Sequence, residues 1–272
     1  MNNNDNPSSS NQTGTSIDEK SLLLGSLNQV NKVIAIMSGK GGVGKSSVSS
    51  LLAVSLAKNG YKVGVLDADI TGPSIAKAFG INSGTCTVSE YGMNPPLSKG
   101  GIKIISINLF LENEDDPVIW RGPLIAGAVK QFWEETNWGE LDYLLVDLPP
   151  GTGDVALTVL QSLSVSGIVI VSSPQDLSLM VVKKAIKMAQ KMNIPIVGLI
   201  ENMSYVECPD CGRKIELFGN SAGEKVAGEM SLTFLGSVPW DNRINILMDT
   251  GQIEYYEKID KLQAINATIE NI

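Results

Sequence analysis

The sequence predicts an α/β protein in three layers, a mostly parallel sheet with helices on both faces. Three observations predict it. Short apolar runs rich in Val, Ile and Leu alternate with segments whose apolar residues fall at helical spacing. The runs are apolar on every residue instead of alternating, so both faces of each strand are buried, which is the habit of parallel sheets. The 272 residues are 43% hydrophobic and only 6% aromatic, enough to bury one large core.

The elements follow in order. Residues 1–20 are Asn-, Ser- and Thr-rich with little to bury and predict a disordered tail, and 21–272 predict a single domain. "SIDEKSLLLGSLNQV" predicts a short apolar helix capped by Ser16. "KVIAIMS" (32–38) is a strand that ends in glycines, and 45–60 is a helix with a glycine stop. Residues 62–69 predict a strand, and a Gly/Pro/Ser-rich stretch with room for small hairpins precedes another at 101–110. A helix over 123–135 has Pro123 near its first turn. Strand 141–149, helix 155–163, strand 167–173, helix 179–192 and strand 195–203 repeat the alternation. A helix over "SAGEKVAGEM", a strand over 233–239 and a helical tail after about 253 complete it.

The loop after the first strand carries the clearest motif. "GKGGVGKSS" (39–47) fits G-x-x-x-x-G-K-[ST] through Gly39, Gly44, Lys45 and Ser46, between a strand and a helix as such a loop requires. Glycines 39, 41, 42 and 44 let the backbone N–H groups around Val43 turn toward one phosphate chain. The helix starting at Lys45 adds its positive end. Lys45 supplies a point charge at the β/γ oxygens, the Ser46 hydroxyl suits Mg²⁺, and Ser47 reaches the α-phosphate. "VLDAD" places Asp67 and Asp69 at a strand's C-terminal end, in the crevice where α/β proteins bind ligands. "YLLVD" ends on Asp147, which is expected to hold Mg²⁺ through water, and "PPGTGD" after it, ending at Asp154, reads as a loop sensing the γ-phosphate. No N-K-x-D stretch is present to read guanine, which favours ATP.

Lys40, a second lysine inside the loop, resembles the deviant Walker A motif of the SIMIBI-class P-loop ATPases, among them the Min/Par proteins and the nitrogenase iron protein. "DADITGPSIAKAFG", "WRGP", "DLPPGTGD" and "ENMSYVECPDCG", in that order, resemble the Mrp/ApbC-type iron–sulfur cluster carriers over about residues 30–250. The resemblance implies a three-layer P-loop NTPase fold and slow ATP hydrolysis in a homodimer. Lys40 would cross to the partner's nucleotide and Asp69 would orient the attacking water. Asn202 would read the adenine edge, with the segment at Pro239 against the base. Arg121 in "WRGP" would anchor a loop near the dimer face. Some relatives of that kind carry an N-terminal four-cysteine motif; residues 1–30 here hold no cysteine.

"CPDC" puts Cys208 and Cys211 three positions apart, a metal-site spacing within a loop at 203–214. A closed site takes about four ligands. The chain has no histidine, and its third cysteine, Cys86, is distant and reads as incidental. If a two-fold axis passes the loop, two chains supply four thiolates, which suit a [4Fe–4S] cluster. Zinc is the alternative metal, since four thiolates also hold it.

Charge narrows the partners. A net charge of −8 disfavours nucleic acid and anionic membrane as the main partners. Three cysteines, an odd number, make no disulfide framework, so a reducing cytoplasm is expected; apolar runs are too short to span a bilayer and the N-terminus lacks a signal-peptide pattern. The expected partners are a second copy, a cluster donor and apo iron–sulfur clients. The competing functions are a Min/Par-type positioning ATPase and a zinc-bridged client-targeting ATPase. Neither a basic amphipathic tail nor a long Met-rich insert is present to favour them.

Overall fold

The computed structural model describes residues 28–70, 72–89, 92–110, 122–175 and 179–272. The predicted tail, most of the predicted N-terminal helix, and "WR" of "WRGP" with Arg121 lie outside them.

Strand β1 (Gln29–Ser38) leads through the glycine loop into helix α1 (Lys45–Lys58) and then β2 (Val63–Asp67). A short helix α2 (Ile75–Ala78) and the hairpin β3 (Thr87–Ser89) with β4 (Gly92–Asn94) precede β5 (Lys103–Ile105). Helix α3 (Gly122–Glu134), strand β6 (Glu140–Asp147), helix α4 (Asp154–Ser162), strand β7 (Gly167–Ser172), helix α5 (Leu179–Lys191) and strand β8 (Ile196–Glu201) follow in strict alternation. A two-stranded ribbon of β9 (Val206–Glu207) and β10 (Lys214–Ile215) interrupts it before α6 (Gly223–Glu229), β11 (Phe234–Ser237), α7 (Asn242–Asp249) and α8 (Gln263–Glu270).

The main sheet has seven strands in the order β11-β8-β7-β1-β6-β2-β5, and every adjacent pair is parallel. The chain leaves β1 for one side and later returns past it to fill the other, so the crevice at the C-terminal end of β1 is a topological switch point. Side-chain alternation along β1 builds two cores. Ile34 and Ile36 join Leu51, Leu52 and Leu56 of α1 on one face. Val33, Ala35 and Met37 join Phe132, Trp138, Leu160 and Val182 on the other. Because both faces are covered, β2 and β7 are buried at every residue.

Three departures from the sequence expectation have physical causes. The 101–110 run is not one strand: after β5 the chain turns into a 3₁₀ turn over Ile107–Phe110, where Ser106 donates to Asp67 Oδ2 at 3.2 Å. Helix α7 was not expected, because the polar run "DNRIN" hides a helix start: Asp241 accepts from the Arg243 N–H, a side-chain N-cap. The C-terminal segment breaks into two 3₁₀ turns before α8, bent around α1, whose Ser55 hydroxyl accepts from Asn266 at 2.6 Å.

Candidate functional site

A parallel sheet collects every loop that follows a strand at one edge. Here that edge holds the glycine loop after β1, Ala68–Asp69 after β2, Pro149–Gly153 after β6, the thiol ribbon after β8 and Val238–Asp241 after β11.

Lys45 is buried, and its ammonium lies 2.7 Å from Asp147 Oδ2 and 3.9 Å from Asp69 Oδ2. The close approach to Asp147 is an ion pair without hydrogen-bond alignment, so the ammonium's N–H donors have no well-directed acceptor. A buried cation with unsatisfied donors at a helix start is suited to phosphate oxygens. Ser46 and Ser49 each donate to Asp147, at 2.6 Å to Oδ2 and 2.6 Å to Oδ1. The neighbouring hydroxyl and carboxylate of Ser46 and Asp147 are a hard-oxygen pair of the kind that takes Mg²⁺, directly and through water. Gly42 and Gly44 adopt φ of 82° and 75°, which lets the loop curl without the penalty that a Cβ would impose. A Cβ at Gly42 would meet nothing within 4 Å, so the loop is open on that side.

Asp67 and Asp147 are register partners on β2 and β6. Asp67 accepts from the N–H groups of Asp69, Ser74 and Ile75, folding the loop after β2 onto its own carboxylate. Burial first, and the Asp147 charge second, push the Asp67 carboxyl up to about 7, while Lys45 and the Ile75 and Asp69 N–H groups pull it down. Asp69 sits 9% exposed beside Lys45. The Pro149–Gly153 loop is pinned by Gly151 N–H to Ser38 O at 3.0 Å, which lays it beside the glycine loop; Asp154 opens α4, exposed. Lys40 and Gly41 are exposed on the loop's outer side.

Asn202 is 5% exposed, and its side-chain amide donates to Val43 O at 2.9 Å and more weakly to Gly44 O at 3.4 Å. It thus holds the glycine loop from the β8 side. Pro239 is buried in the wall of a cleft of about 490 Å³ that also includes Cys208, Trp240 and Arg243.

The thiols lie on the turn of the β9–β10 ribbon. Cys208 N–H donates to Arg213 O, Gly212 N–H donates to Cys208 O, and Gly212 takes φ of 70° to close the turn. Hydrogen bonds from the backbone N–H groups of Cys211 and Asp210 hold the Cys208 thiol below its ordinary value. Cys211 is exposed. Among the described residues no group of three or more Cys, Asp or Glu is placed to hold a metal ion, so one chain presents two thiols and no closed site. Cys86 is far from this ribbon, half-buried against both cores, with its thiol pushed up by burial.

Two residues at this edge had no role assigned from sequence. Ser49, one turn after Lys45, completes the hydrogen bonding of Asp147; its i+4 spacing was the available signal. Glu201, at the end of β8, accepts from the Ser204 and Ser221 hydroxyls and from the N–H groups of Ala222 and Gly223. It fastens the root of the thiol ribbon to the start of α6, and no sequence pattern marks it.

The family described as ParA, the NUBPL iron-transfer P-loop NTPases, matches residues 29–272. The chain belongs to this family. Relatives of this NUBPL-type NTPase include an iron–sulfur cluster carrier protein from Clostridium perfringens, 47% identical over 84% of this chain and 82% of its own length. A second iron–sulfur cluster carrier protein, from Methanocaldococcus jannaschii, is 45% identical over 86% of this chain and 84% of its own length. Among solved structures, a nucleotide-binding protein from Archaeoglobus fulgidus in complex with ADP, with cobalt, is 45% identical and superposes with a TM-score of 0.78 over 89% of this chain and 94% of that one. The cell division ATPase MinD of Pyrococcus furiosus shares the fold, with a TM-score of 0.65 at 20% identity over 89% of this chain and 99% of that one.

Proposed function

We propose that this NTPase binds ATP with Mg²⁺ in the glycine loop and carries a labile [4Fe–4S] cluster between two copies of the chain, for delivery to apoproteins. The observation that carries this reading is the incomplete thiol pair. Cys208 and Cys211 stand on an exposed turn at the nucleotide edge, with no third ligand beside them among the described residues. Two copies related by a two-fold axis would supply four thiolates. The names of the relatives, iron–sulfur cluster carrier protein, support iron–sulfur over zinc as the cargo.

In this reading Lys45 and the N–H groups of Gly41, Gly42, Val43 and Gly44 hold the phosphates, helped by Gly39, and Ser46 and Asp147 hold Mg²⁺. Ser47 meets the α-phosphate. Asp69, beside Lys45, orients the attacking water, and Lys40, exposed on the outer side, reaches the nucleotide of the second copy. Asn202 and Pro239 border the base. Hydrolysis is slow because the parts from both copies assemble only on closure.

Anaerobic reconstitution with iron and sulfide tests it. The expected result is broad visible absorbance and about four irons per two chains, lost in Cys208→Ala. Zinc retention without iron, or a Cys208→Ala variant that keeps the chromophore, overturns the cargo assignment. Lys45→Ala should lose nucleotide binding, and Lys40→Ala should keep binding while losing turnover.

A further inference from the structure

The lysines fall into two groups. Outside α5, every described lysine side chain is engaged. Lys45, Lys62 and Lys258 are among six that face carboxylates, three others donate to backbone carbonyls, two lie over tyrosine rings, and Lys40 is also engaged. The four on α5, Lys183, Lys184, Lys187 and Lys191, are exposed and have no carboxylate, carbonyl or ring partner among the described residues. The helix itself, "LMVVKKAIKMAQK", contains no acid. Like charges three and four positions apart on a helix repel, so this face is held at a cost within the molecule. It is also an uncompensated basic surface on a chain of net charge −8.

Lys184, Lys187 and Lys191 follow i, i+3, i+7 spacing and span about 10 Å along one face. They line a cleft of about 420 Å³ together with Leu157, Met188 and the Thr152–Asp154 turn. The cleft therefore joins cations with an apolar strip. It also abuts the two segments that border the candidate phosphate site. The Thr152–Asp154 turn follows Asp147 by a few residues, and Val181, in the first turn of α5, presses on Gly39 so closely that a Cβ there would fall 1.8 Å from Val181 Cγ1.

We propose that this face of α5 docks an acidic, amphipathic segment of a partner protein, its carboxylates on Lys184, Lys187 and Lys191 and its apolar side chains on Leu157 and Met188. Charge complementarity selects the acidic partner. A nucleic acid fits less well: a phosphodiester backbone carries no apolar side chains to set against Leu157 and Met188, which line the same cleft. The proposal involves neither thiol, so it stands or falls apart from the cluster reading, and it is tested on the metal-free chain.

The probe is a fluorescein-labelled amphipathic peptide with glutamates at helical spacing and leucines between them, read by fluorescence anisotropy. Wild-type chain is expected to bind it, less tightly as salt rises, and not to bind the same peptide with lysines replacing the glutamates. The triple variant Lys184→Gln, Lys187→Gln, Lys191→Gln should bind about tenfold or more weakly, with unchanged circular dichroism and nucleotide affinity. The control triple Lys62→Gln, Lys77→Gln, Lys225→Gln should bind like wild type. No binding by wild type, or equal loss in both triples, overturns the proposal. A DNA duplex that outcompetes the peptide on wild type but not on the α5 triple would make this a nucleic-acid face instead. A change of oligomeric state in the α5 triple would make it a contact between copies of this chain.

Discussion

Asp67 accepts three backbone N–H groups and a serine hydroxyl, yet its acidity is set by where it is buried and by the carboxylate across the strand. Its folded value, about 7, lies above the unfolded value near 4. The folded state therefore binds a proton that the unfolded state has released between those limits. Its contribution is full below about pH 4 and is lost as pH rises through about 7, with a slope of at most ~1.4 kcal/mol per pH unit. In nucleotide- and Mg²⁺-free protein, the urea midpoint of wild type should fall over that window relative to Asp67→Asn. Parallel midpoint curves for the two proteins would refute the assignment. The thiols make a second residue-scale prediction. Backbone donors lower the Cys208 thiol and burial raises the Cys86 thiol, so iodoacetamide near neutral pH should label Cys208 about tenfold faster or more, read by peptide mass spectrometry. The placement of Lys45 and Ser46 was legible in the sequence because a fixed spacing on a strand–loop–helix unit leaves the loop one way to curl, and that of Asp147 because it ends an apolar strand, β6, which the fold pairs with β1. Glu201 was not: Ser204 is a local donor, but the other three come from residues 221–223, which only the fold brings back to the end of β8.

At the scale of elements, Gly39 decides how closely α5 approaches the glycine loop. A methyl at residue 39 would collide with Val181 Cγ1, so Gly39→Ala should cost about 1–3 kcal/mol of stability and weaken nucleotide binding by displacing the loop. Val181→Ala removes the colliding atom, and the double variant should recover most of both losses in a double-mutant cycle. Additive losses would mean that the collision is relieved elsewhere. The strands β1, β2, β6, β7 and β8 were readable to within a few residues because each has a buried apolar stretch bounded by turn residues; the polar first residues of β1 and β6 carry no such signal. The strand expected over 101–110 ends at Ile105. Its apolar pattern continues through Phe110, while the backbone obeys the tertiary pull of Asp67 on Ser106. Helix α7 went unread because its apolar face is short and its cap, Asp241, resembles a loop acid.

At the scale of the whole molecule, the all-parallel sheet gathers the glycine loop, both carboxylate-bearing strand ends and the thiol turn at one edge. Alternating strands and helices foretold that gathering. The proposed pairing of copies rests on Lys40 in the glycine loop and on a deficit, two thiols where four are needed. That deficit gives a numerical test. Reconstituted from an equimolar mixture of wild type and a Cys208→Ala, Cys211→Ala variant, freely exchanging pairs should retain about a quarter of the wild-type cluster per total chain, because about a quarter of pairs are wild type on both sides. Retention of about one half would mean that each chain holds its metal alone. Among the described residues no helix is long and apolar enough to cross a membrane.

Between Asn202, which grips the Val43 carbonyl, and Cys208 run only five intervening residues. Ser204 N–H donates to Val238 O, Trp240 N–H donates to Tyr205 O, and Met203 holds φ of 56°, a conformation uncommon for a side chain of its size. Such a strut has little slack, so a shift of the glycine loop must be absorbed at Met203 or passed along to the sulfurs. ATP added to metal-free protein should therefore alter the rate at which Cys208 is alkylated, and Asn202→Ala should abolish that response at saturating nucleotide; an unaltered response would mean that the strut is merely a wall.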